Sequence, residues 1–225
     1  IIHNNTIIDN NNGISIDRAS SITISYNTIN GNNGNGLDSN TAGLWFMDGS
    51  QHNIRYNNIS NNRNGIHTWY IGGEGPNDLT LIGNIINDNE DDGIIIGRDS
   101  KNWSLWNNTI KENGDYDIHF SSTGSTGHRS VNTEFDTIYV NSGSSLMIKE
   151  YLDLDVNDAR GENISGIDIR IKEEDSVKYS TEYFGGNDPK TVNNGTIETF
   201  LINSKEYNGS STPIVIPTSV SARSD

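Results

Sequence analysis

Across the first 140 or so positions, apolar residues fall in short runs such as Ile14-Ser15-Ile16, Ile22-Thr23-Ile24 and Ile94-Ile95-Ile96. Period-2 alternation in runs this short predicts strands, and no segment shows helical i, i+3, i+4 spacing. Asn, Gly, Asp and Ser crowd the gaps between runs, which predicts frequent turns.

The runs belong to a repeat. Asn-x-Ile recurs at Asn5, Asn27, Asn57, Asn84 and Asn108, with a degenerate version at Asn132, at intervals of 22, 30, 27, 24 and 24 residues. A second phrase, a Gly-type residue followed by alternating apolar positions, begins at Gly13, Gly43, Gly65, Gly93 and Asp117. It stands 8, 16, 8, 9 and 9 residues after its Asn, and the next Asn follows 14, 14, 19, 15 and 15 residues later. A base coil of 22 residues therefore persists, with insertions within Gly31 to Thr41 and near Trp69 to Asn77. A coil of this length cannot bury its own apolar face, so neighbours must stack and share a core. Stacking pairs the strands in parallel and predicts an interior file of Ile14, Leu44, Ile66, Ile94 and Ile118. Asn at a turn should hydrogen-bond to Asn in the next coil, and Gly should take corners that need positive φ.

The Asn-x-Ile and Asn-Gly-Ile-x-Ile rhythm resembles the right-handed parallel β-helix repeat family, found in carbohydrate-binding and sugar-processing proteins and in archaeal and bacterial surface proteins. The resemblance implies an all-β fold, with a right-handed parallel β-helix of about six coils over residues 1–145.

The texture changes after Asn141 to Ser145: 26 of the 34 Asn lie before residue 140, and the rhythm stops. Leu152, Leu154 and Val156 alternate with Asp153 and Asp155, and Ile167, Ile169 and Ile171 alternate with Asp168, Arg170 and Lys172. Such patterns predict half-buried antiparallel strands. Turn-rich segments follow, at Asn157 to Gly161, Gly185 to Pro189 and Asn193 to Gly195 ahead of Ile197 to Ile202. Residues 146–225 are expected to form a small β-sandwich. The run from Val156 to Ile169, followed by Tyr179-Ser180-Thr181, resembles the start of a carboxypeptidase-regulatory, prealbumin-like domain. Ile167 stands where that pattern usually has a small Ala.

Charge narrows the partners. The 225 residues carry a formal charge of −15, with no basic stripe for phosphate, which argues against nucleic acid and anionic membrane surfaces. No apolar run approaches a membrane span, so membrane insertion is not expected. The absence of Cys excludes disulfides and thiolate metal sites.

Residues at equal offsets from the repeat phrase should form files along the axis. The outward file two positions after the Gly-type residue reads Ser15, Trp45, His67, Ile95 and His119; three positions further it reads Arg18, Asp48, Tyr70, Arg98 and Ser122. Flat aromatics can stack on sugar faces while His, Asp and Arg bind hydroxyls or uronate carboxylates. Trp45, His67, Trp69, Tyr70 and Arg98 are therefore the expected ligand-binding residues of a glycan groove. The plainer reading is a solvated face partly covered by the first insertion or by another subunit. A lyase or epimerase would need a base near a neutralised carboxylate, and a hydrolase two carboxylates. Candidates are His67 or His119 as base, Arg98 as neutraliser and Asp48 or Asp99 as partner. No file stacks several carboxylates, and no Lys joins this face unless Lys101 does. With Ile95 between them, His67 and His119 lie about 9.6 Å apart, too far to share one metal. Asp88, Asp91 and Asp92, in the run Asp88-Asn89-Glu90-Asp91-Asp92, offer clustered oxygens for Ca²⁺, but the run lacks the Gly-spaced loop of an EF-hand and a solvated turn is the better account of it.

The expectation is an extracellular or cell-surface module, structural or adhesive, binding a glycan ligand. The chain begins inside a repeat, so Ile1 and Ile2 are expected to abut further coils or another subunit, favouring a homo-oligomer or filament through the β-helix ends. The alternative is a polysaccharide lyase, epimerase or hydrolase.

Overall fold

A computed structural model describes residues 1–34, 41–69 and 75–224. The tips of both insertions, including Tyr70, lie outside the described residues. The chain divides into two units: Ile1–Met147 with Tyr207–Pro213, and Ile148–Glu206 with Ile214–Asp225.

The first unit is a β-solenoid in which each coil contributes three short strands. Coil 1 holds β1 (Ile2–His3), β2 (Thr6–Ile8) and β3 (Ile14–Asp17); coil 2 holds β4 (Thr23–Ser25), β5 (Thr28–Asn30) and β6 (Ala42–Met47). Coil 3 holds β7 (Asn53–Arg55), β8 (Asn58–Ser60) and β9 (Asn64–Trp69); coil 4 holds β10 (Thr80–Ile82), β11 (Ile85–Asn87) and β12 (Ile94–Ile96). Coil 5 holds β13 (Ser104–Trp106), β14 (Thr109–Lys111) and β15 (Ile118–Phe120); coil 6 holds β16 (His128–Val131), β17 (Glu134–Phe135) and β18 (Ile138–Val140). Strands in equivalent places stack into three faces. Face 1 begins with β1, face 2 with β2 and face 3 with β3, and the coils pair in parallel.

The interior file forms as the spacing requires. Ile14 pairs in register with Leu44, Leu44 with Ile66, Ile66 with Ile94 and Ile94 with Ile118. All five are buried, as are the corresponding Ile24, Ile54, Leu81 and Leu105 of face 1 and Ile29, Ile59, Ile86 and Ile110 of face 2. Each coil thus adds one apolar layer to a narrow core.

Two asparagine ladders flank face 2. In the first, the backbone N–H and Nδ2 of Asn27 both donate to Oδ1 of Asn57 at 3.0 Å, and Asn57 repeats the pattern on Asn84 and Asn84 on Asn108. A further Nδ2 proton reaches back to a strand carbonyl, Ile24 O for Asn57 and Ile54 O for Asn84. The second ladder, Asn10, Asn32, Asn62, Asn89 and Asn113, does the same on the other edge. Asparagine suits the position because one amide supplies both the acceptor and the donors that a buried corner backbone lacks.

The expected role of glycine needs correction. Gly13, Gly43, Gly65 and Gly93 do not have positive φ; they are needed for space. A Cβ on Gly65 would stand 2.5 Å from both Ile86 Cγ2 and Gly93 O. The corners with positive φ lie just before the ladder positions; Gly31 and Gly83 take two of them, before Asn32 and Asn84, and non-glycine residues take others, such as Tyr26, Tyr56 and Asn107 before the first ladder and Asp9, Asn61 and Asp88 before the second. Single residues tolerate this left-handed conformation at a cost of about 1–2 kcal/mol each, borne by the surrounding ladder.

Histidine takes the corner before face 1 in two coils. His128 Nδ1 accepts the backbone N–H of Trp103 at 3.2 Å, and its Nε2 donates to Ser100 O at 3.1 Å. His52 Nδ1 accepts from Ile22 N–H at 3.4 Å. Burial lowers the pKa of both, that of His128 to about 4.

In the second unit, β19 (Ser145–Leu152) enters from the solenoid and β20 (Asp168–Glu173) pairs antiparallel with β21 (Ser176–Ser180) and β24 (Thr218–Arg223). β22 (Phe200–Asn208) pairs antiparallel with β23 (Ile214–Val215). Its core gathers Ile167, Ile169, Ile171, Tyr179 and Ile197, with Leu152, Leu154, Val156 and Phe200 packed against them. Leu154 and Val156 thus reach the core although they stand outside the named strands.

Candidate functional site

Face 3 positions the outward file, because Ile14, Leu44, Ile66, Ile94 and Ile118 and the residues two further on turn inward and leave the residue between to face out. Register pairs Ser15 with Trp45, Trp45 with His67, His67 with Ile95, Ile95 with His119 and His119 with Tyr139. The last member, Tyr139, comes from a coil whose phrase has lost its Gly. Only the alternation Ile138-Tyr139-Val140 could have signalled it.

Pointing outward does not make these side chains accessible. His67 is only 5% exposed, and Ile95 8%. The ring of Trp69 stands edge-on to His67, centroids 6.0 Å apart, while Trp69 itself is 48% exposed. Trp45 is half-buried. The middle of the file is thus buried, and the accessible chemistry lies at Trp69, Arg98, His119 and Tyr139.

Around Trp69 and Arg98 the chain forms a small cleft lined also by Thr68, Gly97, Ser121 and Ser122, of about 60 Å³. That is well below the 300–1,000 Å³ of pockets that enclose ligands. The Nε of Arg98 pairs with Asp99 Oδ2 at 3.2 Å. Asp48 is held at a positive-φ corner, its N–H donating to Trp69 O at 3.2 Å. Arg18 pairs with its neighbour Asp17 at 3.3 Å. Both Arg of this face therefore stand beside carboxylates, so neither makes a net positive patch on the strip.

The carboxylate proposed for calcium does something else. Asp92 is buried, and its Oδ2 accepts a hydrogen bond from His119 Nδ1 at 2.9 Å while its Oδ1 accepts the N–H of Tyr116 at 3.1 Å. An ionised carboxylate only accepts, so the hydrogen bond places a proton on Nδ1, and in the neutral ring Nε2 is then the acceptor nitrogen. The rings of Tyr116 and Tyr139 each approach His119 with centroids 5.3 Å apart. Sequence reasoning placed Asp92 and His119 in separate candidate sites; the shared hydrogen bond follows from their positions in adjacent coils.

The other acidic residues of that turn disperse. Asp91 Oδ2 binds Arg63 Nε at 2.8 Å, Asp88 Oδ2 accepts from Asn87 at 2.8 Å, and Asn89 belongs to the second ladder. Among the described residues no group of three or more His, Cys, Asp or Glu side chains is placed to hold a metal ion; oxygens of Asp88, Asp91 and Asp92 take part in the hydrogen bonds and ion pair given above. No described helix is long and apolar enough to cross a membrane.

No curated protein and no solved structure matches the chain. A family model does: residues 1–74 match the right handed beta helix region, and the stacked coils continue the same three-faced construction to Val140.

Proposed function

We propose that the chain is a glycan-binding module of an extracellular or cell-surface protein, with a structural or adhesive role. The observation that carries this reading is the accessible strip on face 3, where Trp69, His119 and Tyr139 offer rings and Arg98 and Ser122 offer polar groups along a rigid axis. Stacked coils repeat at about 4.8 Å, and His119 and Tyr139 stand in adjacent coils with Trp69 to one side of their file, so an extended saccharide can lie across the face. Because Arg98 and Arg18 stand beside carboxylates, this strip suits neutral sugars better than polyanionic ones. The small volume beside Trp69 supports surface binding over enclosure of a reacting bond. The antiparallel strands of the second unit and the Val156 to Ile169 run support a prealbumin-like sandwich of the kind appended to surface proteins, with Ile167 as a departure from that pattern.

Binding to a panel of neutral and acidic glycans tests the proposal. Neutral oligosaccharides are expected to bind, with Trp69→Ala weakening them about tenfold or more, the scale of one lost aromatic contact. Absence of binding to every glycan, or indifference to Trp69→Ala, would overturn it.

One observation favours a second reading, a sugar-processing enzyme. A buried carboxylate that fixes one imidazole nitrogen and leaves the other as acceptor is an arrangement general bases use. Release of unsaturated products or reducing ends from a bound polysaccharide, lost in His119→Ala, would favour this reading over the first.

A further inference from the structure

Face 1 carries a polar array that has no part in the strip on face 3. In the last three coils, Thr80, Ser104 and Arg129 pair in register on the outer side of the sheet. Beside them runs a corner file of Asp78, Asn102 and Gly127, linked by backbone hydrogen bonds from Asp78 N–H to Lys101 O and from Asn102 N–H to Thr126 O. These six residues line an open cleft of about 350 Å³, within the range of small-ligand sites.

The array is held in place by its own hydrogen bonds. Arg129 Nε donates to Ser104 Oγ at 2.9 Å, and Asn102 Nδ2 donates to Asp78 Oδ1 at 3.2 Å. Gly127 has φ +75, and a Cβ there would stand 2.5 Å from Asn102 Oδ1, so the residue keeps that end of the cleft open. With Nε committed to Ser104, the guanidinium retains its two terminal nitrogens, and among the described residues no carboxylate pairs with Arg129. Two terminal nitrogens in one plane match the two oxygens of a carboxylate. Asp78 lies two coils away, about 9.6 Å along the axis. A plain dianion spanning the cleft would meet that carboxylate, whereas a ligand with one anionic end and a hydroxylated remainder would satisfy both ends. Trp106 follows two residues after Ser104, beyond the inward Leu105, so it lies on the same outer side of the strand.

We propose that this cleft binds the carboxylate-bearing unit of an acidic sugar. Arg129 takes the carboxylate bidentately, and Asp78, Asn102 and Thr80 take ring hydroxyls. The site is independent of the glycan strip on face 3, and either can fail without the other.

The test is NMR titration of the full chain with methyl glucuronide, methyl glucoside and sodium sulfate. Methyl glucuronide is expected to shift the amides of Ser104, Trp106 and Arg129, with at least tenfold weaker binding in Arg129→Gln and no change in Trp69→Ala. Equal affinity for methyl glucoside would overturn the role of the carboxylate. The same shifts at equal affinity with sulfate would reduce the cleft to a simple anion site and overturn the proposal. Arg129→Lys keeps the charge and guards against a misfolded Gln variant: it should also weaken binding, because one ammonium cannot make two parallel hydrogen bonds, and unchanged affinity would count against the assignment.

Discussion

His119 Nδ1 and Asp92 Oδ2 meet at 2.9 Å across the boundary between two coils. The carboxylate is buried and the imidazole is a quarter exposed, so Asp92 fixes the ring while the ring faces the accessible strip. Asp92→Asn is expected to release the Nδ1–H tautomer. Nitrogen chemical shifts of the His119 ring should show protonated Nδ1 in the parent protein and a mixture in the variant. The same tautomer in both would show that Asp92 does not orient the ring.

The ladders should dominate stability. Asn57→Ala removes an acceptor shared by two donors of Asn27 and the Nδ2 donations to Asn84 Oδ1 and Ile24 O. A loss of about 2–4 kcal/mol is expected in urea unfolding, because buried backbone groups are left without partners. Asn5→Ala, in an exposed position of the same ladder, should cost about 1 kcal/mol or less. Equal losses at the two positions would contradict the ladder's role.

Glycine in the repeat phrase is expected to be irreplaceable for reasons of volume. Gly65→Ala places a methyl 2.5 Å from Ile86 Cγ2, and overpacking of this kind costs about 1–3 kcal/mol. Gly161→Ala offers the contrast: φ is +86 but nothing lies within 4 Å of the new methyl, so only the left-handed strain of about 1–2 kcal/mol applies. A tolerated Gly65→Ala, read by thermal melting, would refute the close-approach argument.

Acid should loosen the corners. His128 is neutral in the folded chain, with its pKa lowered from 6.5 to about 4 by burial, so the unfolded chain binds more protons between those values. The stabilisation is complete above pH 6.5 and is lost progressively as the pH falls toward 4, amounting to about 3 kcal/mol. The lowered pKa of His52 acts in the same direction. Unfolding free energy measured from pH 7 to 4 should fall, and the fall should shrink in His128→Gln. A flat profile would mean that the imidazole is not held neutral.

Much of the solenoid was legible because its physics is one-dimensional. The interval between successive Asn-x-Ile phrases is the hydrogen-bonding offset itself: Asn27 meets Asn57 thirty residues on, and Asn84 meets Asn108 after twenty-four. The second ladder was equally present, always five residues after the first, as in Asn57 and Asn62 or Asn108 and Asn113, yet without an adjoining Ile phrase it drew no attention. At Gly13, Gly43, Gly65 and Gly93 the sequence distinguishes neither a corner from a close approach nor the neighbour that would clash. Site residues were harder still. A file gives direction but not depth: His67 points outward yet is buried, with the exposed Trp69 edge-on to it. Tyr139 and the pairing of Asp92 with His119 depend on contacts between coils that no local motif records.

The claim on which the functional account rests is that face 3 binds sugar through its exposed strip. Mapping amide and indole shifts on addition of a neutral oligosaccharide that binds tests it most directly. The account predicts saturating shifts at Trp69, Arg98, His119 and Tyr139, with face 2 unmoved. Shifts confined to another face, or to the second unit, would contradict it.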